Sequence, residues 1–569
     1  MVPQADGASQ GRYRKPRAWV TIAVMLNRRY LCSFDARRIL HRFTDVVVVG
    51  AGAAGLRAAC EIAASAAASV TVITKGAIRD ANTDRAQGGV AAVLMPERTG
   101  DSTELHVEDT LASGCGLADE EVVRITIEEG VERVRELIDW GAKFDRKDGD
   151  IHFTQEGGHR KPRIAHARGD ATGHEILSVL AARVQAMPSI QVIEDAYVLD
   201  AITEDGRCTG LLTWRSHAGL VAIWARAVVL ASGGYGRLYR ENTNGPHATG
   251  DGAAMAYRAG AELKDLEFVQ FHPTTLYIAG AERFLITEAA RGEGGVLKDA
   301  AGVRFMPSYH PMAELAPRDV VARAILDRMN RTNQPMVFLD LTGIGREKLA
   351  ASFPGILAIC RRFDIDPVRE PIPVRPGAHY TIGGVAADCW GRTTVPGLYA
   401  CGEVAVTGLH GANRLGSNSL LEGLVFGRRA GRRALEDIAG LSEASRPPVL
   451  TIETGFRRRD LDILDMRRSL ESLMAREAGI VRAGKPLADA RRLLARWSDC
   501  VAEVEFGDPQ GWELQNMLLV AQLIAESALW RRESRGAHYR DDFPDQDPAF
   551  AASLRLSRAC GSRPAGASA

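Results

Sequence analysis

Twenty residues, DVVVVGAGAAGLRAACEIAA from Asp45 to Ala64, constrain the fold more than any other part of the chain. Five strand-forming residues, Asp45 to Val49, run into Gly50, Gly52 and Gly55 and then into an alanine-rich helix. That order is strand, tight turn, helix, the opening of a βαβ unit whose helix N-terminus receives a pyrophosphate. Gly50 permits the turn, Gly52 lets the backbone approach the phosphates, and Gly55 lets the helix pack on the strand. A second strand, SVTVITK from Ser69 to Lys75, follows at the βαβ distance. It ends in Thr74 and Lys75 where an acid often grips a ribose, which weakens an NAD reading and leaves Lys75 to serve the adenylate end of a dinucleotide.

Two more apolar strands run into glycine far downstream, ARAVVLASGG at 225–234 and TTVPGLYACGEV at 393–404. The second places Gly402 and Glu403 at a strand end, where a backbone and a carboxylate meet ribose or ribitol hydroxyls. The dinucleotide domain is therefore discontinuous, with a lobe of about residues 266–379 inserted between its parts. Within that lobe Pro317 announces a helix whose stripe Val320, Val321, Ala324, Ile325 and Met329 reads as plain core. From about residue 451 the chain turns helical and ends in an amphipathic run, residues 512–530; the Arg457–Arg459 cluster there reads as a solvated face.

The 569 residues correspond to roughly four domains at ~150 residues each. Lys plus Arg equals Asp plus Glu at 71 each, so no global positive field exists to hold nucleic acid or an anionic membrane. No segment reaches the ~20 apolar residues of a membrane helix. Nine scattered cysteines without a C-x-x-C pair point to a reducing compartment, the cytoplasm, and exclude an iron–sulfur cluster or a cysteine zinc site, so no metal is expected. The first 43 residues are Arg-rich and contain two acids, Asp6 and Asp35. We expect a disordered extension there, or a start codon placed too early, over a presequence, with the first strand beginning at Asp45.

Four segments combine histidine or arginine with glycine in a way that packing alone does not require: EFVQFHPTTLY, ITEAARGEGGVL, HYTIGGV and GLHGANRLGSNSLLEG. If they converge, His272, Arg291, His379 and Arg414 form a pocket with two permanent positive charges and two imidazoles. Such a pocket suits a small dicarboxylate, each arginine contributing charge-assisted hydrogen bonds of ~1.5 to 3 kcal/mol, with Thr287 satisfying a further oxygen. Taken singly, each histidine is more often a satisfied core residue and each arginine a surface ion pair. The glycines beside Arg291 and Arg414, which let backbone approach a flat ligand, tip the balance for the set.

These segments resemble the flavoprotein family of succinate dehydrogenase, fumarate reductase and L-aspartate oxidase, over a span from about Asp45 to Pro544. The resemblance implies an α/β FAD-binding Rossmann-like domain, discontinuous, with an inserted α+β capping domain and a C-terminal helical bundle. The expected boundaries are 44–265 and 380–450 for the FAD-binding domain, 266–379 for the cap, 451–548 for the helical domain and 549–569 for a tail. For FAD it points to Gly50, Gly52, Ala53, Ala54, Gly55, Lys75, Gln87, Gly88, Gly89, Asp251, Glu403, Asn418, Ser419 and Leu420. Asp251 lies in TGDG, which could equally be a simple loop stop. Ser417 to Leu420 are expected to open a helix aimed at the flavin's pyrimidine end.

In respiratory members a histidine five residues before the Gln of A-Q-G-G carries the flavin covalently; here that position is Asn82, so noncovalent FAD is implied. TQEGGH at 154–159 resembles the aspartate oxidase motif whose glutamate, here Glu156, faces a substrate amino group; the alternative is an ion pair of Glu156 with Arg160 or Arg163. The resemblance assigns Arg414 and His379 to one substrate carboxylate, His272 and Thr287 to the other, and Arg291 to the reacting carbon with Glu288 as its neighbour. In fumarate-reducing relatives that arginine donates a proton; for amine oxidation a guanidinium is a poor acceptor, so an electrostatic role is expected. The implied activity is oxidation of L-aspartate to iminoaspartate, with dioxygen or fumarate taking the electrons and quinolinate synthase taking the product toward NAD. The rivals are a respiratory flavoprotein subunit and an inactive flavin-binding protein. Two departures touch this region: an extra residue in HARGDATG and Gly377 before Ala378–His379.

Overall fold

The computed structural model describes residues 18–22, 28–65, 68–281, 283–441, 450–452 and 461–558. A seven-stranded sheet forms its centre, in the order Ile190–Ile193, Val70–Ile73, Leu40–Val49, Gly219–Leu230, Arg207–Arg215, Tyr197–Glu204, with Leu398–Ala400 also on Gly219–Leu230. The strands around the glycine turn are parallel, with Val46 opposite Val70 and Ala227. Val46, Val47 and Val48 are wholly buried, as a parallel strand covered on both faces requires. Helix Ala53–Ala63 follows the turn directly and packs beside helix Asn418–Ile438, which opens near Ser417 as expected.

The insert is an antiparallel sheet of Val269–Leu276, Ile372–Thr381, Val337–Asp340 and Val296–Lys298, with helix Arg318–Thr332 against it. It has a core of its own that includes Leu276, Ile286, Leu297, Leu339 and Val374. Val321, Ala324, Ile325 and Met329 supply the helix's share of that core, and Val320 lies half-buried at its edge. The strand bearing His379 runs without interruption to Thr381, so the cap and the FAD-binding domain share a continuous strand where the sequence suggests a border at 379/380.

Four sequence expectations need correction. The first long strand begins at Leu40, because Leu40 to Thr44 pair with Val221 to Ala225; the exposed Leu40 and Phe43 hide the alternation. The segment before it is not a loose extension as far back as residue 28. Tyr30, Leu31, Cys32 and Phe34 are buried, and the Leu31 amide donates to Asp200 Oδ2 at 2.8 Å. Residues 1–17 and 23–27 lie outside the described residues, while Ala18–Ile22 pairs in parallel with Leu554–Arg558. That last strand, with Leu554 and Leu556 buried, lies inside what the sequence offers as a tail. Finally, helix Pro509–Trp530 is covered on every side rather than amphipathic, because its polar residues Gln515, Asn516 and Gln522 find buried partners. The Arg457–Arg459 cluster lies outside the described residues. Among the described residues no helix is long and apolar enough to cross a membrane.

Candidate active site

The glycine turn, the cap strands and the Arg414 loop converge on one cavity. Six of the seven substrate-side residues expected from sequence line it: Glu156, His272, Thr287, Glu288, His379 and Arg414. The seventh, Arg291, does not. Its side chain is fully buried behind the cavity, where it donates to the Glu314 carbonyl and pairs with Glu288 Oε1 at 3.3 Å. In its place Arg318 faces the cavity; its Nε donates to Glu288 Oε2 at 2.6 Å and its Nη1 donates to Gln270 Oε1 at 3.2 Å. The signal was present in the sequence: Arg318 follows Pro317 at the first position of the cap helix, outside its apolar stripe. Reading the whole helix as core hid it.

Arg414 donates from Nη1 to Gln270 Oε1 at 3.2 Å and from Nη2 to Ser419 Oγ at 2.6 Å, with its guanidinium 4.7 Å from the centre of the Tyr380 ring. Gln270 thus spaces the two cationic side chains through one shared oxygen. Burial, with Arg318 beside it, pulls Arg414 down to about 10. His272 and His379 meet edge to face with centroids 5.3 Å apart. Burial holds both imidazoles well below their ordinary range, and the neighbouring guanidinium of Arg318 pushes the same way, so both are neutral. Thr243 Oγ1 lies 2.9 Å from His379 Nδ1, and the Thr274 amide donates to His272 Nδ1 at 3.2 Å. Burial favours a neutral Glu288, but Arg318 and Arg291 outweigh it and hold the carboxyl below its ordinary range.

Glu156 is buried and accepts from Ser417 Oγ at 2.8 Å. The alternative ion pairs are taken: Arg160 pairs with Asp109 and Glu108, and Arg163 with Asp101 and Asp109. Arg163 Nη1 donates to His159 Nδ1 at 3.1 Å, and a guanidinium only donates, so His159 Nε2 carries the proton that it gives to the Gly416 carbonyl at 3.0 Å. The TQEGGH loop and the Arg414 loop are therefore clasped at two points.

Twelve of the fourteen residues expected for FAD line the same cavity: Gly50, Gly52, Ala53, Ala54, Lys75, Gln87, Gly88, Gly89, Asp251, Glu403, Ser419 and Leu420. Gly55 stands behind it, where a Cβ would lie 2.0 Å from the Gly50 carbonyl oxygen, which is the close helix–strand packing expected of it. Asn418 is turned away: its Oδ1 lies 2.9 Å from His106 Nε2 and its Nδ2 donates to Thr110. Gly50 takes φ +108°, and a Cβ there would stand 2.2 Å from the Ala231 carbonyl oxygen, so the turn passes close against the neighbouring strand end and has room only for glycine. Asn82 also lines the cavity, its Oδ1 accepting from the Gly245 amide at 2.8 Å. Glu403, pushed up by burial, accepts from the amide and hydroxyl of Thr381.

The fit to a polar dinucleotide is testable on the protein's own hydrogen bonds. Gln87 Oε1, Ser232 Oγ, Asn244 Oδ1, His272 Nε2 and Arg414 Nε are buried without a hydrogen-bond partner among the described residues, and all five side chains line this cavity. Buried polar groups are rarely left so; Gln87, Ser232 and Asn244 suit a dinucleotide laid along the glycine turn, and His272 and Arg414 suit a second polar ligand at the cap. The residues present fit FAD.

Comparison with known proteins gives a consistent picture. Residues 45–420 match the family model for the FAD binding domain, and residues 467–557 match that for the fumarate reductase flavoprotein C-term. The chain is 47% identical over 524 residues to the L-aspartate oxidase of Streptomyces coelicolor, covering 88% of this chain and 89% of that one. It is 44% identical to the chloroplastic L-aspartate oxidase of Arabidopsis thaliana, covering 88% and 82% respectively. Among solved structures, an E. coli quinol fumarate reductase is similar with a TM-score of 0.83 and 35% identity, covering 90% of this chain and 94% of that one.

Proposed function

Since the chain belongs to the succinate dehydrogenase and fumarate reductase flavoprotein family, we propose that it is an FAD-dependent oxidase that converts L-aspartate to iminoaspartate. The observation that carries this reading is Glu156: it lines the cavity with Arg318 and Arg414 and is held by the Ser417 hydroxyl, whereas Glu288 is paired to Arg318. A carboxylate so placed suits the one cationic group that distinguishes aspartate from succinate.

Arg414 and His379 bind one substrate carboxylate, and His272 with Thr287 binds the other. The neutral imidazoles act as hydrogen-bond donors, while Arg318 supplies the charge near the reacting carbon that the sequence assigns to Arg291. Glu288, paired to Arg318, keeps that guanidinium oriented. Glu156 orients the amino group, whose proton must leave before the α-carbon is oxidised. FAD, when bound, supplies the two-electron acceptor for the hydride from that carbon. Orientation and exclusion of water between cap and FAD-binding domain are the protein's contribution.

Electrons leave to dioxygen, giving hydrogen peroxide, or to fumarate, a dianion that suits the same pocket, giving succinate. Asn82 provides no imidazole for a covalent flavin, which counts against a respiratory role. Hand-over of iminoaspartate to quinolinate synthase in the cytoplasm completes the reading. The test is steady-state peroxide release: L-aspartate in air should give it, and acid precipitation should free the flavin from the protein. A flavin that stays with the precipitate overturns the noncovalent reading, and absence of L-aspartate turnover overturns the proposed activity.

A further inference from the structure

The end of the cavity lined by Lys75, Tyr197 and Asp251 is walled from behind by a helix that neither the glycine-turn motif nor the FAD-binding family match includes. On Pro509–Trp530, Trp512 packs on the Tyr197 ring at 5.5 Å, Glu513 Oε1 meets Lys75 Nζ at 2.5 Å, and Asn516 Nδ2 donates to Asp251 Oδ1 at 2.7 Å. Residues 512, 513 and 516 share one helical face, so the contact is built by the helix as a whole.

The hydrogen bonds around Asn516 are determined. Arg258 Nη1 lies 2.6 Å from Asn516 Oδ1 and can only donate, which fixes the amide orientation and turns Nδ2 toward the cavity wall. Asn516 Nδ2 also lies 3.0 Å from Tyr197 OH, which donates to Asp251 Oδ1 at 2.9 Å. Arg258 is itself held by Asp200 Oδ1 at 2.7 Å. On the other oxygen, Asp251 Oδ2 accepts from Lys75 Nζ at 2.8 Å and Thr249 Oγ1 at 2.7 Å. Lys75 therefore spends its three donors on Thr249, Asp251 and Glu513, and has none left for a phosphate.

We infer that Asn516 is a positioning residue for the cofactor: it fixes Asp251 through Oδ1, so the C-terminal helical domain forms part of the dinucleotide site. The inference rests on the reading that Asp251 faces FAD. Its consequence is a division of labour. Cofactor affinity depends on the C-terminal helix, whereas substrate affinity at the far end of the cavity does not.

The experiment is titration of the full-length apoprotein with FAD, followed by flavin fluorescence, for Asn516→Leu, Tyr197→Phe and Asp251→Asn. Asn516→Leu and Tyr197→Phe each remove a hydrogen bond to a buried carboxylate and should weaken FAD binding by about tenfold or more, with KM for L-aspartate at saturating FAD unchanged. Tyr197→Phe keeps the core volume, so it carries the test if Asn516→Leu fails to fold. If Asp251→Asn weakens FAD while both other variants bind as the parent does, the positioning role is overturned. If Asp251→Asn leaves FAD affinity unchanged, the reading of Asp251 as a cofactor-facing residue fails, and the inference falls with it. If KM for L-aspartate rises in step with the FAD dissociation constant, the effect is general loosening, which also overturns the inference.

Discussion

The Ser417 hydroxyl donates to Glu156 Oε2 across 2.8 Å, so the acid proposed to meet the substrate amine is fixed by the loop that carries Arg414. Amine recognition and carboxylate recognition are thereby set at one spacing. Glu156→Gln should lower kcat/KM for L-aspartate by about ten- to a hundredfold while fumarate reduction by the reduced enzyme loses much less. Equal losses in the two assays remove Glu156 from amine recognition.

Arg318 and Arg291 both pair with Glu288, but only Arg318 faces the cavity. Arg318→Lys should cut kcat by about a hundredfold or more in both directions, because a lysine loses the planar fork shared between Glu288 and Gln270. Arg291→Lys should lower stability and leave turnover per bound flavin near the parent value. Side-by-side kcat values normalised to flavin decide the assignment, and the reverse ranking restores Arg291 as the residue at the reacting carbon.

At Gly157 a Cβ would stand 2.4 Å from Glu288 Oε1, at the meeting of the TQEGGH loop with the cap. Gly157→Ala should therefore hinder the cap's approach and weaken binding of succinate as a competitive inhibitor by about tenfold, corresponding to a clash of ~1 to 3 kcal/mol. Unchanged inhibition means that the contact is dispensable.

Burial holds His106, His159, His166, His272, His379 and His538 below their ordinary range. In the unfolded chain these histidines bind protons near pH ~6.5, whereas in the native protein they do not. Unfolding therefore takes up protons at acidic pH. The stability contributed by the neutral native histidines is present above pH ~6.5 and falls as the pH drops below it. Thermal midpoints measured from pH 8 down to 5 should decline toward the acid end, and a midpoint that rises there contradicts the buried neutral state of these histidines.

Much of the architecture could be read from local pattern, because the glycine turn, the parallel valine strands and the Pro317 helix each follow from short-range rules. Leu40 to Thr44 could not, since a half-exposed strand with Phe43 outward carries no alternating signal. Helix Pro509–Trp530 looked one-sided because Glu513, Gln515, Asn516 and Gln522 are polar, yet each is buried with a partner brought by tertiary packing. The same limit explains the exchange of Arg291 for Arg318. Both are arginines next to helix starts, and only the sheet register that brings the Arg318 turn beside Gln270 separates the ligand-facing one from the buried one.

The central claim, a dicarboxylate pocket with one acid reserved for an amine, is tested most directly by anaerobic mixing of the FAD-loaded enzyme with L-aspartate, D-aspartate or succinate while the flavin absorbance is followed. The account predicts rapid bleaching by L-aspartate and little by the other two. Bleaching by succinate with none by L-aspartate would contradict it.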